Sequence, residues 1–279
     1  MDRKQKRPGT AGKKQKRLRK RLRPAGIVFF ACLLIFSLYK LIGAGVSYLK
    51  NRHAYEDIRE SAVTFHEAPT VTPEVIWNLP GEAETASDPL PFEPDWAQLK
   101  TVCPDIVGWL YLEGTNIHYP VVRSDDNEFY LDHNARQEKN AGGALFLDAC
   151  CDKNSRNLLI YGHRMKDDSM FGQLPEYAQE SFLRAHPIMY YLTPAQNYRV
   201  EIFACRTVRA EGKYFACAFE SENDYREYQE KAVEQSYWAA PFTPDTQYGM
   251  LTLSTCSVYR GMDDPRLLVH GLLIPLRGE

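Results

Sequence analysis

Between residues 106 and 274 the chain carries eight short β-rich runs separated by turn signals, at 106–112, 117–122, 144–147, 158–161, 188–192, 198–208, 248–256 and 267–274. No long helix intervenes among most of them, and this spacing predicts a mainly β domain, a closed or nearly closed antiparallel barrel. Thr193-Pro194-Ala195-Gln196-Asn197 reads as the turn of a hairpin between two of the runs. One segment breaks the rhythm. Residues 221–238 are charged and helix-prone, with Ser221 or Asn223 as the cap and Tyr225, Tyr228, Ala232 and Gln235 on one stripe.

The N-terminal part has a different character. Residues 1–23 hold 12 of the 34 Lys and Arg and a single acid, Asp2, which leaves 22 basic against 35 acidic residues, a net charge of −13, on the remainder. A tail this basic suits nucleic acid or a membrane surface, and the next segment selects between them. Residues 25–39 are uncharged and mostly apolar, and the apolar character resumes after Lys40 from Leu41 to Leu49. Together they are long enough for a helix to cross a hydrocarbon layer of roughly 30 Å. Lys40 snorkels or marks the outer edge. A cleaved signal peptide is the rival reading, kept open by Gly43-Ala44-Gly45. With an uncleaved anchor, the excess of positive charge keeps the tail in the cytoplasm and everything after Lys50 outside, so nucleic acid is not an expected partner.

Beyond the anchor, residues 51–67 have helical spacing at Tyr55, Ile58, Ala62 and Phe65 and could lead away from the membrane. Residues 68–95, with six prolines, read as a linker or a strap. Asp95 caps a short helix that stops at Pro104, where the compact domain begins. The expected organisation is a basic cytoplasmic tail (1–24), a transmembrane anchor (25–49), an extracellular helix and linker (50–95) and a catalytic domain (96–279).

Seven cysteines are an odd number, so at least one is unpaired. None has C-x-x-C spacing, and no metal or organic cofactor is indicated. Cys205 and Cys217 read as small buried hydrophobes in or beside strands. The adjacent Cys150 and Cys151 have no reading beyond turn residues, since a bond between neighbours is strained.

Cys256 is different because it ends a strand. In Thr252-Leu253-Ser254-Thr255-Cys256 the residues alternate, so Leu251 and Leu253 face a core while Thr252, Ser254 and Cys256 line the other side. A cysteine attacks a carbonyl as the thiolate and needs a base or a positive neighbour. His163 ends another apolar strand, Asn157-Leu158-Leu159-Ile160-Tyr161-Gly162-His163. Arg266 begins the returning strand and can offer a permanent charge and a planar fork of N–H groups to an oxyanion. The bland alternatives are a surface histidine and an ion pair of Arg266 with Asp263 or Asp264. His270, on the same strand face as Arg266, is the one other histidine that competes as the base.

Tyr161-Gly162-His163, Thr252-Leu253-Ser254-Thr255-Cys256 and Arg266, ten residues after the cysteine, together resemble the signature of a sortase, most closely of class B. Asp105-Ile106-Val107-Gly108-Trp109, Tyr119-Pro120-Val121-Val122, Tyr130-Leu131 and Ser169-Met170-Phe171 follow the same order, over residues 96–276 and the anchor. The resemblance implies an eight-stranded sortase-like barrel with a helix between its sixth and seventh strands. It further implies a cysteine transpeptidase that cleaves a C-terminal sorting motif of surface proteins through a thioester on Cys256. The acceptor would be an amine of a peptidoglycan precursor or of a pilin. It implies His163, Cys256 and Arg266 as catalytic residues, and Asn127, Leu131, Tyr161, Tyr214, Phe215 and Ser254 as contacts of the sorting peptide, with the 221–238 helix walling the groove. Many class B members carry an acid directly after the cysteine, and Ser257 departs from that pattern. A peptidase using water and a non-catalytic wall-binding module are the competing classes.

Overall fold

The computed structural model describes residues 11–65, 90, 92–152, 154–256 and 262–276. Ser257, His66 and most of the 68–95 linker lie outside the described residues. The chain divides into two compact units, residues 1–49 and 50–279. Helix α1 runs Ala11–Ala62. In the first unit it exposes Phe29, Phe30, Leu34, Ile35, Phe36, Leu41 and Ile42, a continuous apolar surface that is unfavourable in water. Among the described residues it is the one helix long and apolar enough to cross a membrane.

In the second unit, the last turns of α1 pack on the domain. Tyr55, Ile58 and Ala62 are buried in the main core, and the Tyr55 hydroxyl donates to the Gly143 carbonyl at 2.9 Å. The helix ends at Ala62, short of the expected Phe65, and the next residue begins strand β1 (Val63–Phe65), which pairs antiparallel with β2 (Phe92–Pro94). Helix α2 (Trp96–Val102) follows, its first turn closed by the Asp95 carboxylate accepting from the Gln98 N–H at 2.9 Å. Leu99 anchors it, fully buried, and truncating such a leucine to alanine costs about 2–5 kcal/mol.

Eight strands then close the barrel: β3 (Ile106–Tyr111), β4 (His118–Val122), β5 (Leu145–Leu147), β6 (Asn157–Tyr161), β7 (Ile188–Leu192), β8 (Asn197–Arg209), β9 (Gly249–Cys256) and β10 (Pro265–Pro275). Their order around the barrel is β10-β8-β7-β3-β4-β5-β6-β9. The expectation of an antiparallel barrel is corrected in two places, because β4 pairs with β5, and β6 with β9, in parallel. Parallel neighbours need a crossover of a dozen or more residues, and both connections are long: residues 123–144 in one case, 162–248 in the other. The second carries α3 (Glu180–Ala185), β7, β8 and α4 (Glu222–Glu234).

Helix α4 therefore lies between the sixth and seventh barrel strands, β8 and β9. It is capped by Ser221, whose Oγ accepts from the Asp224 N–H at 3.1 Å. Tyr225, Tyr228 and Ala232 bury against Phe203, Met250 and Leu272 outside the barrel. Leu251 and Leu253 point the other way, into the main core with Val121, Leu159 and Ile160. The alternation of β9 thus sends Thr252, Ser254 and Cys256 to the outer side, at whose far end the thiol is exposed.

Candidate active site

The parallel ladder between β6 and β9 sets the geometry. Its last pair is Tyr161 opposite Ser254, and His163 and Cys256 each lie two residues beyond it. On the other side of β9 the antiparallel ladder pairs Cys256 with Arg266. The thiol is therefore flanked by histidine on one neighbouring strand and by arginine on the other. The three line one cavity of about 250 Å³ together with Asn127, Leu131, Phe146, Tyr161, Gly162, Ser254 and Thr255.

Close packing explains the glycine before His163. A Cβ at Gly162 would stand 2.4 Å from the Leu145 side chain and 2.6 Å from that of Phe171, closer than any real contact, so a larger residue would push the strand end outward. His163 is then aimed by the Leu131 carbonyl, 2.7 Å from its Nε2. A carbonyl only accepts, so Nε2 carries the proton and Nδ1 is the nitrogen left to take one in the neutral ring. The Leu131 carbonyl is in turn backed by Gly143, at φ 58°, where a Cβ would meet the Tyr130 and Leu131 oxygens at 2.6 and 2.8 Å.

Arg266 combines its two sequence readings. It lines the cavity and also forks onto the Asp264 carboxylate, with Nη2 donating at 3.2 Å and Nη1 making the shorter contact. Its side chain is 28% exposed against 63% for Asp264, so the acid holds the guanidinium from the solvent side. Asp264 itself adopts φ 45°, a left-handed conformation that aspartate tolerates better than most residues.

An aromatic wall bounds the cavity. The Tyr161 ring lies between those of Phe146, at 5.3 Å, and Phe215, at 6.2 Å. Its hydroxyl donates to Asp148 at 2.7 Å; burial and that carboxylate push the phenol pKa well up. Asn127 accepts from the Ala149 N–H at 2.8 Å, fixing one rim. Ser254 is buried, and its Oγ has no hydrogen-bond partner among the described residues.

Tyr214 is not brought to this cavity. Its carbonyl accepts from the Tyr228 hydroxyl at 2.6 Å, and it lines a larger cavity of about 460 Å³ against α4, with Arg206, Lys213, Phe219 and Lys231. The lining of that cavity among the described residues contains no cysteine and no histidine. His270, the rival base, is fully buried behind Arg206: it accepts from Arg206 Nε at 3.1 Å and bonds Thr252 at 2.9 Å, so burial, with the arginine's charge second, holds it well below the usual histidine pKa. Sequence reasoning missed Phe146 and Asp148; Phe146 sits at the end of a strand run, but nothing local marks Asp148 as the partner of Tyr161.

An eight-stranded barrel whose adjacent strand ends carry cysteine, histidine and arginine is the architecture of a known class of enzymes, and direct comparison agrees. The Sortase domain family matches residues 110–274, and the chain belongs to that family. Sortase B of Listeria monocytogenes is 30% identical over 244 residues, covering 87% of this chain and 92% of the relative. Sortase B of Staphylococcus aureus is 28% identical over 183 residues, 65% of this chain and 75% of the relative. The structure of sortase B from Bacillus anthracis in complex with AAEK1 superposes with a TM-score of 0.67 at 28% identity, over 82% of this chain and 99% of the other. Within the family the chain is a class B sortase, a cysteine transpeptidase.

Proposed function

We propose that Cys256 is the nucleophile, His163 the proton carrier and Arg266 the oxyanion support of a reaction that cuts a C-terminal sorting motif and transfers the protein to an amine. The Cys256 thiolate attacks the scissile carbonyl, and the negative oxygen is met by the Arg266 guanidinium. The tetrahedral intermediate expels the leaving amine, which takes its proton from His163, and the acyl group stays on sulfur as a thioester. An acceptor amine then gives a proton to His163, attacks the thioester and releases the thiolate. The observation that supports this most is the register: Cys256 is the Cα partner of Arg266 and lies as far beyond the Tyr161–Ser254 pair as His163 does.

The groove lined by Asn127, Leu131, Tyr161, Ser254 and, through Tyr161, Phe215 is the proposed seat of the sorting peptide. Tyr214 is assigned to it by family resemblance alone. The proposed organisation keeps the basic residues 1–24 in the cytoplasm, residues 25–49 in the membrane as a single pass and the catalytic domain outside. Partners are surface proteins with a sorting motif and an amine of peptidoglycan or a pilin.

The test is an incubation of the detergent-solubilised full chain with a library of sorting-motif peptides, followed by intact mass. A thioester adduct on Cys256 that moves to an added glycine peptide supports the reading. Release of free acid only, unchanged by the amine, would make the enzyme a peptidase. Protease added to intact cells tests orientation: digestion of the basic tail from outside reverses it.

A further inference from the structure

Two cysteines outside the active cavity meet inside the domain. Cys151, in the turn after β5, and Cys217, in the connection from β8 to α4, lie with their sulfurs 3.1 Å apart. That is direct thiol–thiol contact, about 1 Å longer than the bonded distance of about 2.0 Å. Both are buried, Cys151 completely and Cys217 at 6% exposure, so neither has a bulk-solvent role to explain the approach.

The surrounding backbone is already fixed in this arrangement. The Cys217 carbonyl accepts from the Arg156 and Asn157 N–H groups at 3.1 and 3.2 Å, and the Asn157 side-chain amide donates to the Ala216 carbonyl at 2.8 Å. The Cys151 N–H donates to the Asp148 carbonyl at 2.9 Å, and the Leu159 N–H points at the Cys151 sulfur at 3.4 Å. Two segments 66 residues apart in sequence are thus held with their thiols in contact mainly by backbone and amide bonds, with the Leu159 N–H on the Cys151 sulfur as the one among these that involves sulfur.

We propose that Cys151 and Cys217 are joined by a disulfide in the mature enzyme, stapling the β8–α4 connection to the turn that follows β5. The Cys217 thiol, and after the opposing effect of burial the Leu159 N–H, lower the pKa of Cys151, which favours it over Cys217 as the attacking thiol. The co-reactant is a disulfide-bearing oxidant. One cysteine thiolate attacks an oxidant sulfur, breaking the oxidant's S–S bond and releasing one thiol. The second cysteine thiolate displaces the other half as a second thiol and forms the Cys151–Cys217 bond. Two protons and two electrons pass to the oxidant. Because both sulfurs are buried, the exchange takes place in the incompletely folded chain or through local opening, and the finished bond is sheltered from reductant.

The staple sits behind the active cavity. Cys217 lies two residues after Phe215, whose ring lies on Tyr161, and Cys151 three residues after Asp148, which takes the Tyr161 hydroxyl. Both supports of the Tyr161 wall are therefore next to the bond. This pairing leaves Cys256 free to act as a thiol, with Cys150 as the other exposed cysteine of the domain. Formation of the bond in cells rests on the outward orientation proposed above; its formation in the purified protein rests only on the contact between the two sulfurs.

The experiment equilibrates the detergent-solubilised full chain with mixtures of reduced and oxidised glutathione, traps free thiols with an alkylating agent and maps non-reduced peptides by mass spectrometry. A peptide linking 151 to 217, two hydrogens lighter than its parts, is expected. Reduction should lower the thermal midpoint by roughly 4–16 °C. Cys150→Ala should keep the link and this sensitivity to reductant, whereas Cys217→Ser should lose both. Full alkylation of Cys151 and Cys217 under excess oxidised glutathione, or a link through Cys150 or Cys256, overturns the proposal. Inactivity of the enzyme toward any peptide leaves this readout untouched, so the two readings fail separately.

Discussion

The Nε2 of His163 is bound to the carbonyl oxygen of Leu131, 2.7 Å away, so a backbone group selects the histidine's tautomer where many hydrolases use a carboxylate. The arrangement depends on Gly143. Gly143→Ala puts a Cβ against both oxygens of the Tyr130–Leu131 turn at a positive φ, which should cost about 1–3 kcal/mol of stability. Displacing the Leu131 carbonyl should also slow turnover by about 10- to 100-fold, since small misplacements of a reacting group have effects of that size. Steady-state kinetics beside urea unfolding checks both; a stability loss with an unchanged rate would detach the carbonyl from the chemistry.

Cys256 ends β9 at the surface and needs no support for the fold. Cys256→Ala should keep the thermal midpoint, form no peptide adduct and lose about 10⁴-fold or more in rate, on the scale of removing a catalytic nucleophile. Cys103→Ala, Cys150→Ala and Cys205→Ala should keep their turnover. Intact mass after incubation with peptide distinguishes them, and an adduct on Cys256→Ala would discard the mechanism.

Arg266 and its clamp can be separated by substitution. Arg266→Ala should slow turnover by on the order of 100-fold or more. Arg266→Lys should also lose much of the rate, because an ammonium keeps the charge but not the fork. Asp264→Asn, which removes the charge of an exposed partner and keeps a residue suited to the left-handed backbone, should cost about 0–1 kcal/mol of stability and a smaller part of the rate. Rates near the parent's for both arginine variants would reduce the site to a Cys–His pair.

Acid should weaken the domain through its buried histidines. His118 packs among Phe92, Trp109 and Tyr111, with ring centroids at 4.8, 5.3 and 5.0 Å. Burial, with a smaller contribution from Arg59, lowers its pKa from 6.5 to about 3. The unfolded chain therefore takes up the proton first. The stability contribution is complete above pH 6.5 and is lost as the pH falls toward 3, amounting to about 2 kcal/mol at pH 5. His270 acts with the same sign. His118→Phe should flatten the dependence of urea unfolding between pH 7 and 5; an unaltered slope would clear His118 of the effect.

The barrel was legible because period-2 runs of about six residues are a local signal, and the runs at 188–192 and 198–208 match β7 and β8 closely. Strand direction was not, since alternation says which face is buried but not which neighbour a strand takes. The β4·β5 and β6·β9 pairs are set by what their connections can span. Cys256, His163 and Arg266 stood out as reactive groups at strand ends. Tyr214, Asp148 and the Cys151–Cys217 contact depend on side chains meeting across long separations, which no window along the chain records.

The parallel pairing of β6 with β9 also frees the enzyme to diversify. His163 and Cys256 stay neighbours because their strands are hydrogen-bonded side by side, whatever lies between them in the sequence. Everything from Arg164 to Tyr248 is a detour that leaves the thiol's side and returns to it. An insertion, deletion or exchange within that detour that leaves the ladder intact can remodel the surface around the cavity while His163 and Cys256 keep their spacing. Selection can thus tune what such an enzyme accepts without retuning how it reacts.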